Sequence, residues 1–168
     1  MRFYFDTEFT QFRDGELLSI ALVTDEDHEL VVEVHDRGRL ARASEFCRST
    51  VIPQFGCTPA WTATTDAEVG KIVAHWLAQF EAPHTMLYDY KLDWRHLEHL
   101  LRAAGEWSRL GSTLKPFNVA DVANDDRCLA AQDAYFQGLA MPGRHHPLVD
   151  ARAMRARWQT YLRLNPAV

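Results

Sequence analysis

A chain of 168 residues with a 47% apolar share suits one domain of ordinary size, and a formal net charge of −5 leaves no broad basic surface for gripping long nucleic acid nonspecifically. A nucleic-acid partner would therefore be held locally, at an end or as a short oligomer, where bound cations can reverse the local sign. The N-terminus MRFYFDTEF lacks a secretory apolar core, no apolar run approaches the ~20 residues that span a bilayer, and Cys47, Cys57 and Cys128 lack paired zinc spacing; a soluble cytoplasmic protein with reduced thiols and no membrane partner is expected.

Phe3 to Phe5 reads as a short first strand, Leu17 to Val23 as a second and Glu29 to Val34 as a third, with the polar stretch from Asp25 to His28 turning the chain. The three predict an antiparallel meander. Arg39 to Thr50 is expected to be helical, and Pro53, Gly56 and Pro59 break the chain after it. Thr65 and Glu68 have capping-box spacing ahead of the helical pattern Val69, Ile72, Val73, Trp76, Leu77 and Phe80, and Pro83 ends it. Thr85 to Tyr88 is a buried-strand candidate. A helix from about Asp93 to Ala104 stops at Gly105. Residues 105 to 124 read mostly as loop, with a short strand near Asn118 to Val122. Asp125 to Leu139 is helical, Pro142-Gly143 marks a turn, and a last helix runs from about Pro147 to Leu164. The order predicts an α/β fold, a mixed sheet with helices packed on it. No linker divides the chain.

Strand side chains alternate between faces, so Asp6 and Glu8 share one if the first strand continues that far. Two carboxylates on one face repel unless a cation lies between them, although a solvated strand end accounts for the pair equally well. Asp93 heads the i, i+4 row of Leu97 and Leu101, the apolar stripe of its helix. It is also well placed as an N-cap, so both readings stand at this point. Asp150 heads the row of Met154, Trp158 and Leu162, and Pro147 in the first turn puts Asp150 inside the helix, which weakens a capping role. A carboxylate heading a buried stripe needs a cation or donors. Four convergent carboxylates are hard oxygen ligands of the kind that suit magnesium or manganese. His145 lies five residues before Asp150 in a loop; among the eight histidines, that spacing singles it out. His96 and His99 sit on a charged helix face and read as solvated.

These residues carry a resemblance. FDTEF resembles the D-x-E first motif of the DEDD exonucleases, YDYKLDWRHL their second motif, and HHPLVDA the third motif, H-x-A-x-x-D-A, of the subgroup with a histidine base. Asp6, Glu8, Asp93, His145 and Asp150 match residue by residue. Asp89, where many members have asparagine, and Pro147, where many have alanine, are departures taken to carry no chemistry. The motifs run from residue 6 to 151, so residues 1–168 are identified as a single exonuclease domain with a ribonuclease H-like fold: the antiparallel meander plus parallel strands, flanked by helices. The segments FYFDTEF and LLSIALV look most like the ribonuclease AS type of bacterial exoribonuclease, a group associated with adenylate-rich RNA and homodimers.

The resemblance implies two divalent ions, Mg2+ or Mn2+, held by Asp6, Glu8, Asp93 and Asp150. Asp6 would bridge them, with Glu8 and Asp150 on the nucleophile side and Asp93 on the other. His145 would be the base. The implied partner is a nucleic acid with a free 3′ end, RNA favoured over DNA, shortened from that end to release nucleoside 5′-monophosphates. Phe9 and Phe12 are candidates for stacking on terminal bases, worth ~1–3 kcal/mol per base; a core position accounts for Phe9 equally well. Two alternatives stand beside this. DTEFT nearly fits the D-x-D-x-T motif of haloacid-dehalogenase-type phosphatases, with Asp6 as nucleophile, and a binding module could keep the fold without turnover.

Overall fold

In the computed structural model, which describes residues 1–12 and 15–166, six strands form one mixed sheet: β1 (Arg2–Phe9), β2 (Leu17–Thr24), β3 (Glu29–Val34), β4 (Trp61–Ala63), β5 (His84–Tyr88) and β6 (Leu114–Asn118), in the order β4-β3-β2-β1-β5-β6. The first three pair antiparallel, as expected. The parallel pairs are β3 with β4, β1 with β5 and β5 with β6. The helices are α1 (Arg37–Arg42), α2 (Asp66–Leu77), α3 (Lys91–Ala103), α4 (Trp107–Leu110), α5 (Asp126–Phe136) and α6 (Pro147–Leu164). No helix among the described residues is long and apolar enough to cross a membrane.

The alternation of β1 places its side chains in two cores. Phe3 and Phe5 pack with Val69, Val73 and Leu77 of α2 and with Leu97, Leu100 and Leu101 of α3. Tyr4 points to the opposite face and packs with Met154 and Trp158 of α6. Ala21 and Val23 of β2 meet Leu148 and Ala151 of the same helix. Burying each large side chain is worth ~1.5–3 kcal/mol, so β1 is pinned from both sides. A one-residue slip would exchange the two faces and lose both sets of contacts. On the first face α2 and α3 approach closely at Gly70, where a Cβ would lie 2.0 Å from the Leu100 carbonyl oxygen. The Thr65–Glu68 capping box that starts α2 is present in both directions.

Several expectations are corrected. The first strand is longer than Phe3 to Phe5 and carries Asp6 and Glu8 within it. The helix expected over Arg39–Thr50 is two pieces. Asp36 caps α1 at its N-terminus, and the chain leaves it at Ala43 because the Ser44 N–H donates to the Thr10 carbonyl. A π-helical turn (Cys47–Val51) and a 3-10 turn (Ile52–Gln54) come next. The strand expected near Asn118–Val122 lies earlier, at β6. Pro116 is tolerated there because β6 is an edge strand with a free side, and residues 119–121 form a 3-10 turn capped by the Asn118 side chain. β4 carries no alternation long enough to announce it.

Candidate active site

Because β1 runs to Phe9, Asp6 and Glu8 share the face of Tyr4 at the strand's C-terminal end. β5 is its parallel neighbour and ends at Tyr88, so Asp89 emerges beside it. Asp93 is the third residue of α3 rather than its cap; Tyr90 holds the cap position. Asp150 enters from the first turn of α6, whose start is set by Pro147 and by the His146 ring, which accepts from the Leu148 N–H. Candidate ligand atoms of Glu8, His145 and Asp150 all lie within 4.8 Å of one another, and so do those of Asp6, Asp89 and Asp93. The structure thus brings together all five of the residues expected to act.

Hydrogen bonds hold one oxygen of each helix aspartate. The Thr7 hydroxyl and amide donate to Asp93 Oδ1 at 2.7 and 3.3 Å. Asp93 is 1% exposed, and among the described residues its Oδ2 has no partner; neither has the buried Asp6 Oδ2. The His145 N–H donates to Asp150 Oδ2 at 2.8 Å. Burial, then the charges of Asp93, Asp150, Glu8 and Asp89, hold Asp6 well above the ordinary carboxylate range. Burial with the Asp150 and Asp93 charges pushes Glu8 up to about 8. Burial raises Asp93 to about 7, with the Asp89 charge adding to it and the Thr7 donors opposing. Burial likewise raises Asp150 to about 7, opposed by the His145 N–H and the Arg144 charge.

Such crowding fits a cation. Unpartnered buried carboxylate oxygens are costly in a protein interior, and the donors supplied here are oxygens plus one imidazole. That set matches hard divalent ions, and the orphaned oxygens of Asp6 and Asp93 are where a positive charge would be most stabilising.

His145 sits in the loop between α5 and α6 with φ of 66°, a left-handed conformation that costs a non-glycine residue of order 1–3 kcal/mol unless its surroundings over-determine it. The Phe46 ring stands edge-on to it at 5.0 Å between centroids. Burial, with the Arg144 charge, holds the imidazole below its ordinary value, so it is neutral near pH 7.

The carboxylates open into a cleft of about 720 Å³ lined also by Phe9, Phe12, Phe46, Tyr90, Phe136 and Arg144. Among the described lining residues Arg144 is the one cation, and its guanidinium lies 5.2 Å over the Phe136 ring. Phe12 is 75% exposed, and its ring meets that of Phe9 edge-on. Phe9 is half-buried and belongs to the cleft wall, stacked on His96 at 5.3 Å. His96 is accordingly not solvated as its helix face suggests. Burial lowers it to about 4, whereas His99 is exposed and meets Asp66.

Asp89, a departure without chemistry by its sequence, is part of the cluster. Its one local signal is its place after a buried-strand candidate; that this strand runs beside the one carrying Asp6 is a tertiary fact. Thr7 escapes sequence reasoning because its side chain belongs to the opposite face from Asp6 and Glu8. The chain matches no protein-family model and no curated protein.

Proposed function

We propose that the chain is a metal-dependent 3′–5′ exonuclease of ribonuclease H-like fold, acting on the 3′ end of short or single-stranded RNA and releasing nucleoside 5′-monophosphates. The observation that carries this reading is two acidic groups lining one cleft, Asp6 with Asp89 and Asp93 and Glu8 with His145 and Asp150, in which buried oxygens of Asp6 and Asp93 have no partner among the described residues. Asp6, Asp89 and Asp93 would hold one divalent ion, and Glu8 and Asp150 a second. Held there, a magnesium or manganese ion would supply acidification of the attacking water and neutralisation of charge growing on the phosphorus.

The residues of the chain do the rest. Neutral His145 takes the proton of the attacking water as its oxygen bonds to phosphorus. The bond from phosphorus to the 3′ oxygen breaks, that oxygen takes a proton from solvent, and the products are a shortened chain with a 3′-hydroxyl and a mononucleotide with a 5′-phosphate. Thr7 keeps Asp93 turned into the cluster. Phe12 and Phe9 offer a stacking wall for terminal bases, and Arg144 offers a cation to a backbone phosphate. A preference for adenylate and assembly as a homodimer are part of the same resemblance-based proposal.

The test is a time course on 5′-labelled short RNA and DNA of several sequences, with magnesium and with manganese. A ladder shortening from the 3′ end, faster on RNA, supports the reading. A faster ladder on DNA replaces RNA as substrate, and no ladder with either ion on any oligomer removes the reading.

A further inference from the structure

Gln54 lies at the end of the 3-10 turn that succeeds the π-helical turn, about ninety residues before the loop that carries His145, and it is 3% exposed. Its side-chain amide pairs with that loop in both directions. The Gly143 N–H donates to Gln54 Oε1 at 2.7 Å, and Gln54 Nε2 donates to the Arg144 carbonyl at 3.0 Å. The same Nε2 donates to the Thr50 carbonyl at 2.9 Å, which ties the amide to its own segment. The head group therefore takes the place of a neighbouring strand, pairing one N–H and one carbonyl of the two residues immediately before His145. The segment holding Gln54 also carries Phe46, whose ring meets the His145 imidazole.

That segment is fixed independently of the loop: Cys47 and Val51 are buried with Leu18 of β2. The loop has fewer constraints, because Arg144 is exposed and Gly143 only half-buried. His145 is held in the left-handed region, and beyond it the His145 N–H bond to Asp150 and the His146 cap secure only the helix side. Nothing else among the described hydrogen bonds secures the Gly143–Arg144 side. Resting on the functional reading above, we infer that Gln54 is a positioning residue, a clasp that fixes the Gly143–Arg144 backbone so that the His145 ring faces the carboxylate cluster.

The experiment uses Gln54→Ala and Gln54→Met; methionine is similar in length and fills the space without either hydrogen bond. The expected result is a kcat lower by ~10–100-fold with KM changed by less than about threefold, since misplacing a base by about an ångström costs on that scale. In a His145→Ala background the same Gln54 substitutions should cost nothing further, a coupling that a general loss of stability would not produce. Independently of any turnover, amide hydrogen exchange at Gly143 and His145 should quicken by at least ~10-fold, while amides in the middle of α6 keep the parental rate. The clasp is overturned if exchange at Gly143 is unchanged, or if the cost in kcat is the same with and without His145. The two failures separate: a parent protein with no His145-dependent turnover removes the functional reading, whereas His145-dependent turnover that survives both Gln54 variants removes the clasp alone.

Discussion

Asp93→Asn tests whether the carboxylate cluster is built for cations or for the fold. Asparagine keeps an oxygen to accept from Thr7 and replaces the orphaned oxygen with a donor beside the Asp6 and Asp89 carboxylates. Asp93 is pushed up from an ordinary 3.8 to about 7 by burial, with Asp89 adding to it. A carboxyl with a higher pKa in the fold than in the unfolded chain binds more protons when folded between those two values, so stability falls as pH rises across the window. At ~1.4 kcal/mol per pH unit, carrying this charge without metal costs about 4 kcal/mol at about pH 8. Without divalent ions Asp93→Asn should therefore be more stable than the parent there, by about 10 °C in melting temperature for a chain of this size. The gain should shrink below about 2 kcal/mol at about pH 5 and vanish below about pH 4. Saturating magnesium or manganese should stabilise the parent by ~3 kcal/mol per site at a hundred times Kd, and Asp93→Asn by the share of the Glu8 and Asp150 site alone. Thermal melts in chelator and across a metal titration, at the two pH values, read all of this. An Asp93→Asn protein less stable than its parent in chelator at about pH 8 would refute the reasoning, because the carboxylate would then belong to the fold.

His145→Ala should lose ~10²–10⁴-fold in turnover while keeping the parental metal-induced rise in melting temperature; loss of that rise would make His145 a ligand. Asp89→Asn should weaken divalent binding in calorimetry with no loss of fold, and an unchanged affinity would put Asp89 outside the metal set. Arg144→Ala should raise KM for short RNA and lower the slope of log affinity against log salt by about 0.7, the value for one single-strand phosphate contact; an unchanged slope would remove that contact. A circular oligomer should be untouched, and cleaving it at a rate comparable with the linear one would mark an endonuclease.

What the sequence discloses depends on how local the signal is. Asp6 and Glu8 are legible because a strand has period two, and Asp150 because Pro147 fixes the register of its helix. Asp93 is legible through the stripe it heads, but only the helix starting at Lys91 excludes its alternative role as a cap. Asp89 joins the cluster because β5 lies parallel to β1, a long-range pairing that leaves no mark near residue 89. Gln54 is further still from the residues it touches, and a glutamine among 3-10 and π-helical turns has no periodicity to betray it. His96 misleads because its helix face is charged, whereas the ring of Phe9 covers it from another element. Local pattern thus finds four of the carboxylates, and only tertiary structure finds Asp89 and the residues that hold the cluster.

That division explains how the cluster persists. Five carboxylates so close would move apart if they were free to do so, yet four of them are anchored by something other than their charge. Asp6 and Glu8 ride on a strand whose Phe3, Tyr4 and Phe5 are fully buried between two helical layers. Asp93 would have to abandon the Thr7 hydroxyl, and Asp150 the His145 N–H, to turn away. Relaxation would therefore break packing or hydrogen bonds worth several kcal/mol in all, comparable with the repulsion it would relieve. Protonation is one remaining relief, and the raised carboxyls show the fold leaning toward it. A divalent ion is the other, and it alone leaves the oxygens ionised near neutral pH. The well-packed frame thus holds the carboxylates together where a divalent ion would relieve their repulsion, and the same rigidity keeps His145 beside Glu8 and Asp150.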